Sequence, residues 1–423
     1  MGRGLPQALD YYRGLPREIY VLFVSRVINT MGAFVRPFLT IFLTSNLGFS
    51  EAQTGLITTI GIFLYVPGSM LGGYLADRSG RKRILITARV LAAMCYIPCA
   101  FAGNSLLVPI LLIASSFIGG VGDPASTCMV ADLTNESNRK QAFSLLYLGI
   151  NVGFSLGPAI AGILYNDYLP WIFIGDAFTS FGSVLLIAKY VPETMPDVSC
   201  PEKYGICADS DERPEEGSFL AVIRRRPLLM AFVFINMMLW FVIGQSNFGL
   251  PLQTTATFGR EQGPRLFGIL MSVNGLVVVL MTLFLTRLTR ALRPSLNISI
   301  AGVLAGIGYG MLYFVADFWL FVLSTAVWTL GEILTATNAN VYIANHTPMS
   351  HRGRFNAIMS VITGVGMSFN PLLVGLYIRA YGIRMVWPLM LCISLLASAL
   401  MLAVYRHDKR RELQKQGTTQ KVV

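Results

Sequence analysis

Charged residues are scarce in this chain. They make up 13% of its 423 residues, whereas 54% are hydrophobic, and soluble domains carry about twice that share of charge. A soluble protein of this length has no use for so much apolar side chain, because its core does not need it. The composition therefore excludes an ordinary soluble domain, and the mean hydropathy of +0.59 is typical of a protein embedded in lipid.

Residues that carry chemistry are also few. All three histidines fall in predicted loops or in the C-terminal tail: His346, His351 and His407. The sequence contains no G-x-x-x-x-G-K-[ST] pattern for nucleotide phosphates. It also shows no cluster of metal ligands at suitable spacing and no nucleophile beside a base. We therefore predict that the protein is not an enzyme and holds no cofactor or metal.

Cysteine is sparse and scattered. Four of the six cysteines lie in long apolar stretches, where cysteine acts as a small apolar residue: Cys95, Cys99, Cys128 and Cys392. The other two, Cys200 and Cys207, fall in a polar central segment, where we expect reduced thiols. Their role stays open.

Long apolar stretches, by contrast, are abundant. Twelve of them are about 20 residues or longer, which is enough to cross roughly 30 Å of hydrocarbon. Backbone N–H and C=O groups in lipid must be paired within the segment, so we predict helices rather than strands. Numbered as spans 1 to 12, they cover residues 18–43, 51–76, 84–103, 105–132, 142–165, 169–190, 228–256, 264–286, 296–315, 317–344, 355–379 and 383–405.

The net charge of +11 has a strongly uneven distribution. Of the 33 Lys and Arg residues, 26 lie in the two ends and in alternate loops, and four lie in the remaining loops. Because Lys and Arg gather in cytoplasmic loops, both termini are predicted to be cytoplasmic. The basic excess thus indicates membrane topology and does not indicate binding to nucleic acid.

One long polar segment, 191–227, divides six spans from six. A repeat supports this division, since a shift of 213 residues places 131–162 on 344–375 without a gap. Two parallel six-helix halves with the substrate site between them are the plan of many secondary transporters. The predicted organisation is an N-terminal six-helix bundle (1–190), a cytoplasmic central loop (191–227), a C-terminal six-helix bundle (228–405) and a basic cytoplasmic tail (406–423), expected to be disordered.

The loop between spans 2 and 3 has a glycine-framed pattern, G-x-L-A-D-R-x-G-R-K. Its defining residues are Gly73, Asp77, Arg78, Gly80, Arg81 and Lys82. This pattern resembles the signature loop of the major facilitator superfamily. Charge topology alone would explain the basic residues but would not explain an aspartate between two glycines at fixed spacing. The resemblance implies that Asp77 meets the N-terminal end of span 11, near Arg352 and Arg354, and latches the two halves together.

Span 5 carries a second pattern, made of small residues and one proline. Its members are Gly149, Gly153, Gly157, Pro158 and Gly162. The pattern is similar to the glycine–proline motif of the superfamily's exporters, although the glycine pair after the proline is Ala161–Gly162 here. Small residues four apart let helices pack closely, and proline can bend the helix. The resemblance favours export.

Span 1 is similar to the first helix of bacterial twelve-helix drug:proton antiporters, through Arg26, Asn29, Gly32 and Pro37. Span 4 departs from that family, because residues 105–131 lack the arginine that often handles protons there. The resemblance implies an all-α membrane protein with the major facilitator fold: twelve transmembrane helices in two six-helix bundles with pseudo-two-fold symmetry. Because this arginine is absent, we look for proton-coupling residues at other positions.

Ionisable residues inside spans cost roughly 2.5–3.5 kcal/mol each and mark functional sites by default. In the superfamily, spans 1, 4, 7 and 10 line the central cavity. Four of the six intramembrane charges are on these spans: Arg26, Arg36, Asp123 and Glu332. Of the other two, Arg89 in span 3 is expected to snorkel towards the inner surface, and Asp176 in span 6 is expected to be structural.

Glu332 lies about 22 Å along span 10, close to mid-membrane. We predict Glu332 as the first choice for proton coupling and Asp123 as the second, with a static Arg–carboxylate pair as the alternative. Aromatic and polar side chains on the cavity spans would suit large amphipathic molecules. The predicted cavity or substrate residues are Arg26, Asn29, Arg36, Trp240, Gln245, Asn247 and Trp328.

The sequence thus predicts a secondary active transporter in the cell (inner or plasma) membrane. We expect it to export drugs or amphipathic metabolites in exchange for protons by alternating access. Its predicted partners are a small-molecule substrate, protons and the lipid bilayer, and we expect a monomer. Two alternatives stay open: a proton-coupled uptake symporter for a small metabolite, and a non-transporting membrane receptor, which would not explain the charges inside spans.

Overall fold

The computed structural model describes residues 12–103, 105–135, 138–195, 227–346 and 352–419. Every regular element in these ranges is helical. The α-helices are α1 (Arg17–Met31), α2 (Val35–Ile41), α3 (Glu51–Ser79), α4 (Arg81–Phe101), α5 (Leu107–Asp132), α6 (Arg139–Asp167), α7 (Leu169–Tyr190), α8 (Pro227–Ile243), α9 (Gly249–Leu288), α10 (Pro294–Met311), α11 (Phe318–His346), α12 (Arg352–Tyr381) and α13 (Val386–Thr419).

The predicted all-helical membrane fold is confirmed. Within the described ranges, nine helical stretches are long and apolar enough to cross a membrane, and one of them, Leu228–Leu288, contains both span 7 and span 8. Large apolar side chains such as Phe101, Phe178 and Phe314 are more than three-quarters exposed on the helix surfaces. Such extensive apolar exposure fits contact with lipid rather than with water.

Local sequence signals set the helix ends. At the start of α3, the Ser50 hydroxyl accepts from the Gln53 backbone N–H, and the Gln53 side chain accepts from the Ser50 backbone N–H. This reciprocal pair satisfies two N–H groups that the first turn leaves free. Between α3 and α4, Gly80 adopts φ 95°, a conformation that favours glycine.

α9 is kinked where the sequence predicted a loop between spans 7 and 8. Gly259 has φ 81° and ψ 171°, which are not helical values, and Pro264 follows within the same element. Glycine reaches this φ without the steric cost that a Cβ would add. The connection between the two spans is therefore a tight kink at Gly259 rather than a longer loop.

The helices form two compact units. Unit 1 comprises Met1–Ala208 and Leu250–Val279. In it, α5 packs on α3 and α4, α4 packs on α7, and α1 packs on both α6 and α7. Its core cluster includes Ile19, Leu85 and Met129, which are fully buried.

Unit 2 comprises Asp209–Gly249 and Leu280–Val423. In it, α10 packs on α11 and α13, and α8 packs on α12 and α13. Its core cluster includes the rings of Phe232 and Tyr342, which stack with centroids 4.0 Å apart. The predicted residue boundaries of the two bundles stay a prediction.

Spans 1 and 7 are each interrupted, at matching positions of the 213-residue repeat. Span 1 stops being helical after Met31 and resumes at Val35. Span 7 passes through a 3-10 turn at Gly244–Ser246 and resumes at Gly249. Under the shift, Gly32 corresponds to Gln245, so both breaks occupy the same place in their repeat. The apolar pattern did not predict either break.

The C-terminal tail differs from its prediction. Residues from 406 onwards were expected to be disordered, but α13 continues without interruption to Thr419. The sequence RHDKRRELQKQ is made largely of residues with good helix propensity, so the helix of span 12 can extend into water.

Candidate functional site

An ion pair inside unit 1 joins two of the residues that the sequence singled out. Arg26 of α1 and Asp123 of α5 face each other with Nη1 and Oδ1 4.0 Å apart. Their side chains are 26% and 46% exposed, so the pair is open to solvent on one side. The Tyr65 hydroxyl, from α3, donates to the other carboxylate oxygen of Asp123. Three helices thus converge on one carboxylate that is partly exposed to solvent.

The two other intramembrane arginines of the N-terminal half lie differently. Arg89 was expected to snorkel, which is wrong: its Nη1 is buried, and the guanidinium lies within electrostatic reach of Arg26 and Asp123. Arg36 is exposed at the start of α2 and acts electrostatically on Tyr65. Three guanidinium groups therefore lie in the region that contains Tyr65 and Asp123.

A line of polar contacts joins α1 to α7. Asn29, predicted to line the cavity, donates through Nδ2 to the Ser180 hydroxyl at 3.1 Å. One turn earlier, the Ser25 hydroxyl donates to the Ser183 carbonyl at 3.1 Å. Hydrogen bonds of this kind join helices where lipid offers no alternative partner. In the structure, therefore, Asn29 fastens two helices together, and its role towards substrate stays a prediction.

The small residues of span 5 form close contacts within unit 1. A Cβ added at Gly153 would lie 2.7 Å from the Val27 carbonyl oxygen, and one at Gly157 would lie 2.5 Å from the Met31 carbonyl oxygen. Gly149 lies against the Phe23 ring, whereas Gly162 and Pro158 approach the second half of α9. The motif thus brings the backbones of α6 and α1 into direct contact.

The signature loop is fastened to other helix ends of unit 1. Arg81 pairs with Asp132 at the end of α5 and donates to the Cys128 carbonyl. Lys82 donates through Nζ to the Ala188 carbonyl at 2.8 Å. Asp77 and Arg78 are exposed, and the Arg78 guanidinium lies over the Tyr74 ring. The side chains of Arg352 and Arg354 lie outside the described residues, so the latch between Asp77 and span 11 stays a prediction.

A carboxylate after span 6 binds the N-terminal end of α4. Glu193 Oε1 accepts from the backbone N–H groups of Arg81 at 2.7 Å and Lys82 at 3.0 Å, and Oε2 accepts from that of Arg83 at 3.3 Å. Partial burial alone would raise the pKa of Glu193, but hydrogen bonds from these and adjacent backbone N–H groups outweigh it and lower the pKa. No motif or spacing in the sequence singled out this residue.

Glu332 lies half-buried on α11 in unit 2. It acts electrostatically on Tyr309 of α10, whose hydroxyl donates to the Ile243 carbonyl at 3.0 Å. Trp328 is 1% exposed, and its ring stacks on Tyr309 with centroids 5.1 Å apart. This packing places Trp328 in the core of the unit, while its predicted contact with substrate stays a prediction.

The break in span 7 is surrounded by neutral polar groups. Gln245 is fully buried, and its Nε2 donates to Asn370 Oδ1 at 2.9 Å. The Asn370 amide in turn donates to the Phe241 carbonyl. Asn247 is exposed at the break, and Trp240 is half-buried on α8. Gln245 Nε2 also donates to the Phe241 carbonyl at 3.3 Å, so Gln245 satisfies a helix-end group, and Asn247 is the better placed of the two to meet a solute.

The described residues offer few groups that could bind a metal or a cofactor. Within the ranges that the structure describes, no group of three or more His, Cys, Asp or Glu side chains is close enough to hold a metal ion. Cys200 and Cys207 lie outside these ranges. Cys95, Cys99, Cys128 and Cys392 are free thiols.

Sequence reasoning missed the partners that complete each site. Tyr65 lies in an apolar stretch, and nothing in its spacing indicates that its hydroxyl meets Asp123. Asn370 and Tyr309 were missed for the same reason, since a polar group in a span reveals its partner only after the helices are packed. Amphipathic periodicity could not have found them, because these spans are apolar all round.

Comparison with known proteins gives a consistent result. The sequence profile described as Major Facilitator Superfamily matches residues 22–306 and 264–422. A Na(+), Li(+), K(+)/H(+) antiporter of Planococcus maritimus is 26% identical over 82% of this chain and 85% of its own length. Quinolone resistance protein NorA of Staphylococcus aureus is 26% identical over 38% of this chain and 42% of its own.

The fold is also found among solved structures. The chain matches a POT family transporter, crystallised with a thioalcohol-conjugated peptide, with a TM-score of 0.78. The match covers 93% of this chain and 97% of the other, at 15% sequence identity. At that identity the likeness concerns the fold alone.

Proposed function

Because this chain belongs to the major facilitator superfamily, we propose that it exports drugs or amphipathic metabolites in exchange for protons by alternating access. The family consists of secondary transporters, so the protein is a multi-pass membrane transporter of small molecules and not an enzyme. The proposal adds the direction, the coupling ion and the substrate class.

The open ion pair between Arg26 and Asp123 carries the proposal. A carboxylate deep in a span is costly, and a pair with N···O at 4.0 Å and one exposed side is not a closed structural contact. A proton arriving on Asp123 removes the charge that Arg26 and the Tyr65 hydroxyl contact. A cationic group of a substrate can pair with Asp123 only while this carboxylate is ionised, so protonation and substrate binding can exclude one another.

Glu332 is the corresponding proton carrier that we propose in the second half. It is half-buried on α11 and within electrostatic reach of Tyr309. A carboxyl in this setting changes from acceptor to donor when it takes up a proton. We propose that Glu332 is the principal coupling residue and that Asp123 is the second.

Export is favoured by the glycine contacts of span 5 and by two of the relatives. The Planococcus relative is an antiporter, and the Staphylococcus relative is a resistance protein. The half-buried Trp240 and the exposed Asn247 would give a substrate one aromatic and one polar contact. Such contacts suit cationic or zwitterionic amphipathic molecules.

A second candidate function is the exchange of monovalent cations for protons. It is favoured by the activity named for the Planococcus relative, which aligns with 82% of the chain. Proton-coupled uptake of a small metabolite is a third, and the POT fold match fits it as well as export. All three use a protonated carboxyl, and they differ in what moves with the proton and in which direction.

Inverted membrane vesicles can separate these functions. Proton-coupled export predicts that adding an amphipathic dye or drug to energised inverted vesicles dissipates the pH gradient and accumulates the compound. Adding NaCl, LiCl or KCl instead tests cation exchange, and right-side-out vesicles test uptake. Compound accumulation that an uncoupler does not reduce would contradict the proposal.

Two variants test the assigned carriers. Glu332→Gln is expected to abolish proton-driven transport while leaving compound binding measurable, and Asp123→Asn is expected to weaken coupling. The matched controls are Glu261→Gln and Asp167→Asn, which change exposed carboxylates near the kink of α9 and at the end of α6. Full coupling in Glu332→Gln would refute its assignment without touching that of Asp123.

A further inference from the structure

Asp176 is a buried carboxyl that the proposed mechanism does not use. It lies on α7 with 5% of its surface exposed. In the part of the chain that the structure describes, no Lys or Arg lies within ion-pair distance of it. Burying a carboxylate without a cation is costly unless hydrogen bonds compensate. An ionised Asp176 therefore depends on hydrogen-bond donors around it.

Its partners are backbone groups at the break in span 1. Asp176 Oδ2 accepts from the Val35 N–H at 3.3 Å, and the Phe34 N–H is also directed at this carboxylate. Val35 is the first residue of α2, so its N–H lacks the carbonyl partner that a continuous helix would supply, whereas the Phe34 N–H also donates to the Gly32 carbonyl at 2.7 Å. The carboxylate thus replaces a hydrogen bond that the break removes.

The surrounding contacts hold the break against α7. A Cβ at Gly32 would overlap the side chain of Thr179, and one at Gly175 would lie 2.8 Å from the Phe34 ring. Nothing larger than glycine fits at either position. The break in span 1 is therefore packed directly on the helix turn that carries Asp176.

The other half of the repeat provides a comparison. The position that corresponds to Asp176 is Leu389, and the break in span 7 is held by neutral groups. Its freed carbonyls, of Phe241 and Ile243, accept from the Asn370 amide and the Tyr309 hydroxyl. Amides do not take up protons in the physiological range, so of these two breaks the one in span 1 has the partner suited to proton exchange.

We propose that Asp176 is a proton-binding site whose ionised carboxylate holds the break in span 1 and whose protonation releases it. One proton from the aqueous phase bonds to a carboxylate oxygen, the negative charge is lost, and the N–H groups of Phe34 and Val35 lose their charged acceptor. The break separates Arg26 on α1 from Arg36 on α2. Releasing it changes how these two arginines are placed around Asp123, and in this respect the inference rests on the proposed proton-coupled transport.

Other titratable groups face the same region. Tyr96 of α4 acts electrostatically with both Asp176 and Arg36, and its hydroxyl bonds to Ser115. From α1, the uncharged Asn29 bonds to Ser180, four residues after Asp176 on α7. Within the described residues, α6 contributes no charged side chain to this contact. A phenol and a guanidinium keep their protonation states near neutral pH, so Asp176 is the group that can change.

Hydrogen exchange of the purified protein, without substrate, tests the proposal. The peptide covering residues 32–37 reports on the break in span 1, and the peptide covering 244–249 reports on the break in span 7. The ratio of their exchange rates cancels the intrinsic effect of pH. We expect this ratio to rise as pH falls from roughly 8 to 5, because only the first break loses its acceptor.

The variant Asp176→Asn provides the second arm, with Asp167→Asn as control. At the higher pH the variant's span-1 peptide is expected to exchange on the order of tenfold faster than wild type, as for loss of a hydrogen bond to a charged group. This difference should vanish as pH falls and the wild-type carboxyl takes up its proton.

Two results would overturn the proposal. A peptide ratio in the wild type that does not change with pH would show that Asp176 does not exchange a proton. Equal exchange in wild type and Asp176→Asn at every pH would show that it does not hold the break. The wild-type arm needs no variant to fold. The assay contains no substrate, so failure of the proposed export function would leave its outcome unchanged.

Discussion

Replacing Glu193 by glutamine removes one negative charge from the N-terminal end of α4. Three N–H groups of the first turn donate to this carboxylate, those of Arg81, Lys82 and Arg83. The N–H groups of Thr194 and Met195 donate to it as well, at 3.0 and 3.3 Å. Glutamine keeps one acceptor oxygen but presents an NH₂ group to N–H donors, so part of this arrangement must open.

The expected loss of stability follows from two known contributions. A negative charge at a helix N-terminus stabilises by about 0.3–1 kcal/mol, and a capping side chain by about 0.5–2 kcal/mol. Glu193 is exposed, so solvent screening reduces the charge contribution. We expect Glu193→Gln to lower the free energy of unfolding by about 0.5 kcal/mol and Glu193→Ala by about 1–2 kcal/mol.

The pH dependence has a definite sign. Hydrogen bonding lowers the pKa of Glu193 in the folded protein. A carboxyl with a lowered pKa stabilises the fold fully above its unfolded pKa of about 4.3, and this stabilisation is lost as pH falls through the folded value. Wild type and Glu193→Gln should therefore differ in stability near neutral pH and converge in acid.

Thermal unfolding of the detergent-solubilised protein, followed by the loss of monodisperse protein on size exclusion, measures the effect. Glu261→Gln changes an exposed carboxylate elsewhere and serves as the control. If Glu193→Gln and wild type unfold at the same temperature at neutral pH, the carboxylate does not stabilise the N-terminal end of α4. If the difference persists unchanged in acid, charge is not the cause.

Three further predictions concern other parts of unit 1. Gly153→Ala should lower the free energy of unfolding by about 1–3 kcal/mol, because the added Cβ meets the backbone of α1. Gly119 has open space around it, so Gly119→Ala should leave the stability unchanged. Thermal unfolding measures both effects. Tyr65→Phe removes a hydrogen bond to a charged acceptor, which is worth about 1.5–3 kcal/mol. This variant should therefore lower the initial transport rate roughly tenfold or more. An unchanged rate would exclude a role for Tyr65 at Asp123. Asp77→Asn should leave yield and melting unchanged but impair transport, and normal transport by that variant would refute the latch.

Much of the fold follows from the sequence because lipid leaves few options. A run of about 20 apolar residues must be a helix, and each of the twelve predicted stretches overlaps a helix of the structure. The breaks at Gly32 and Gln245 were not predicted, because their cost is compensated by side chains of distant helices. Hydropathy depends only on the composition of a span and carries no information about these partners.

The candidate site was predictable in part for a similar reason. Arg26 and Asp123 stand out because charge is costly in a span, and the structure brings them together. Tyr65 and Asn370 do not stand out, since tyrosine and asparagine are tolerated in many spans and their roles depend on what they contact. Arg89 was misplaced because distance along the helix suggested snorkelling, while the packing of α4 buries its guanidinium.

The backbone contact between α6 and α1 limits how unit 1 can change shape. With Gly153 and Gly157 lying against the carbonyls of Val27 and Met31, the two helices interlock. Sliding α1 by half a helical turn, about 2.7 Å, would move those carbonyls off the glycines and against residues that carry side chains. Translation along this seam is therefore blocked, and α1 can only pivot with α6 as a pair. Arg26 moves with that pair of helices, so any rotation of α6 also changes the direction of the Arg26 guanidinium.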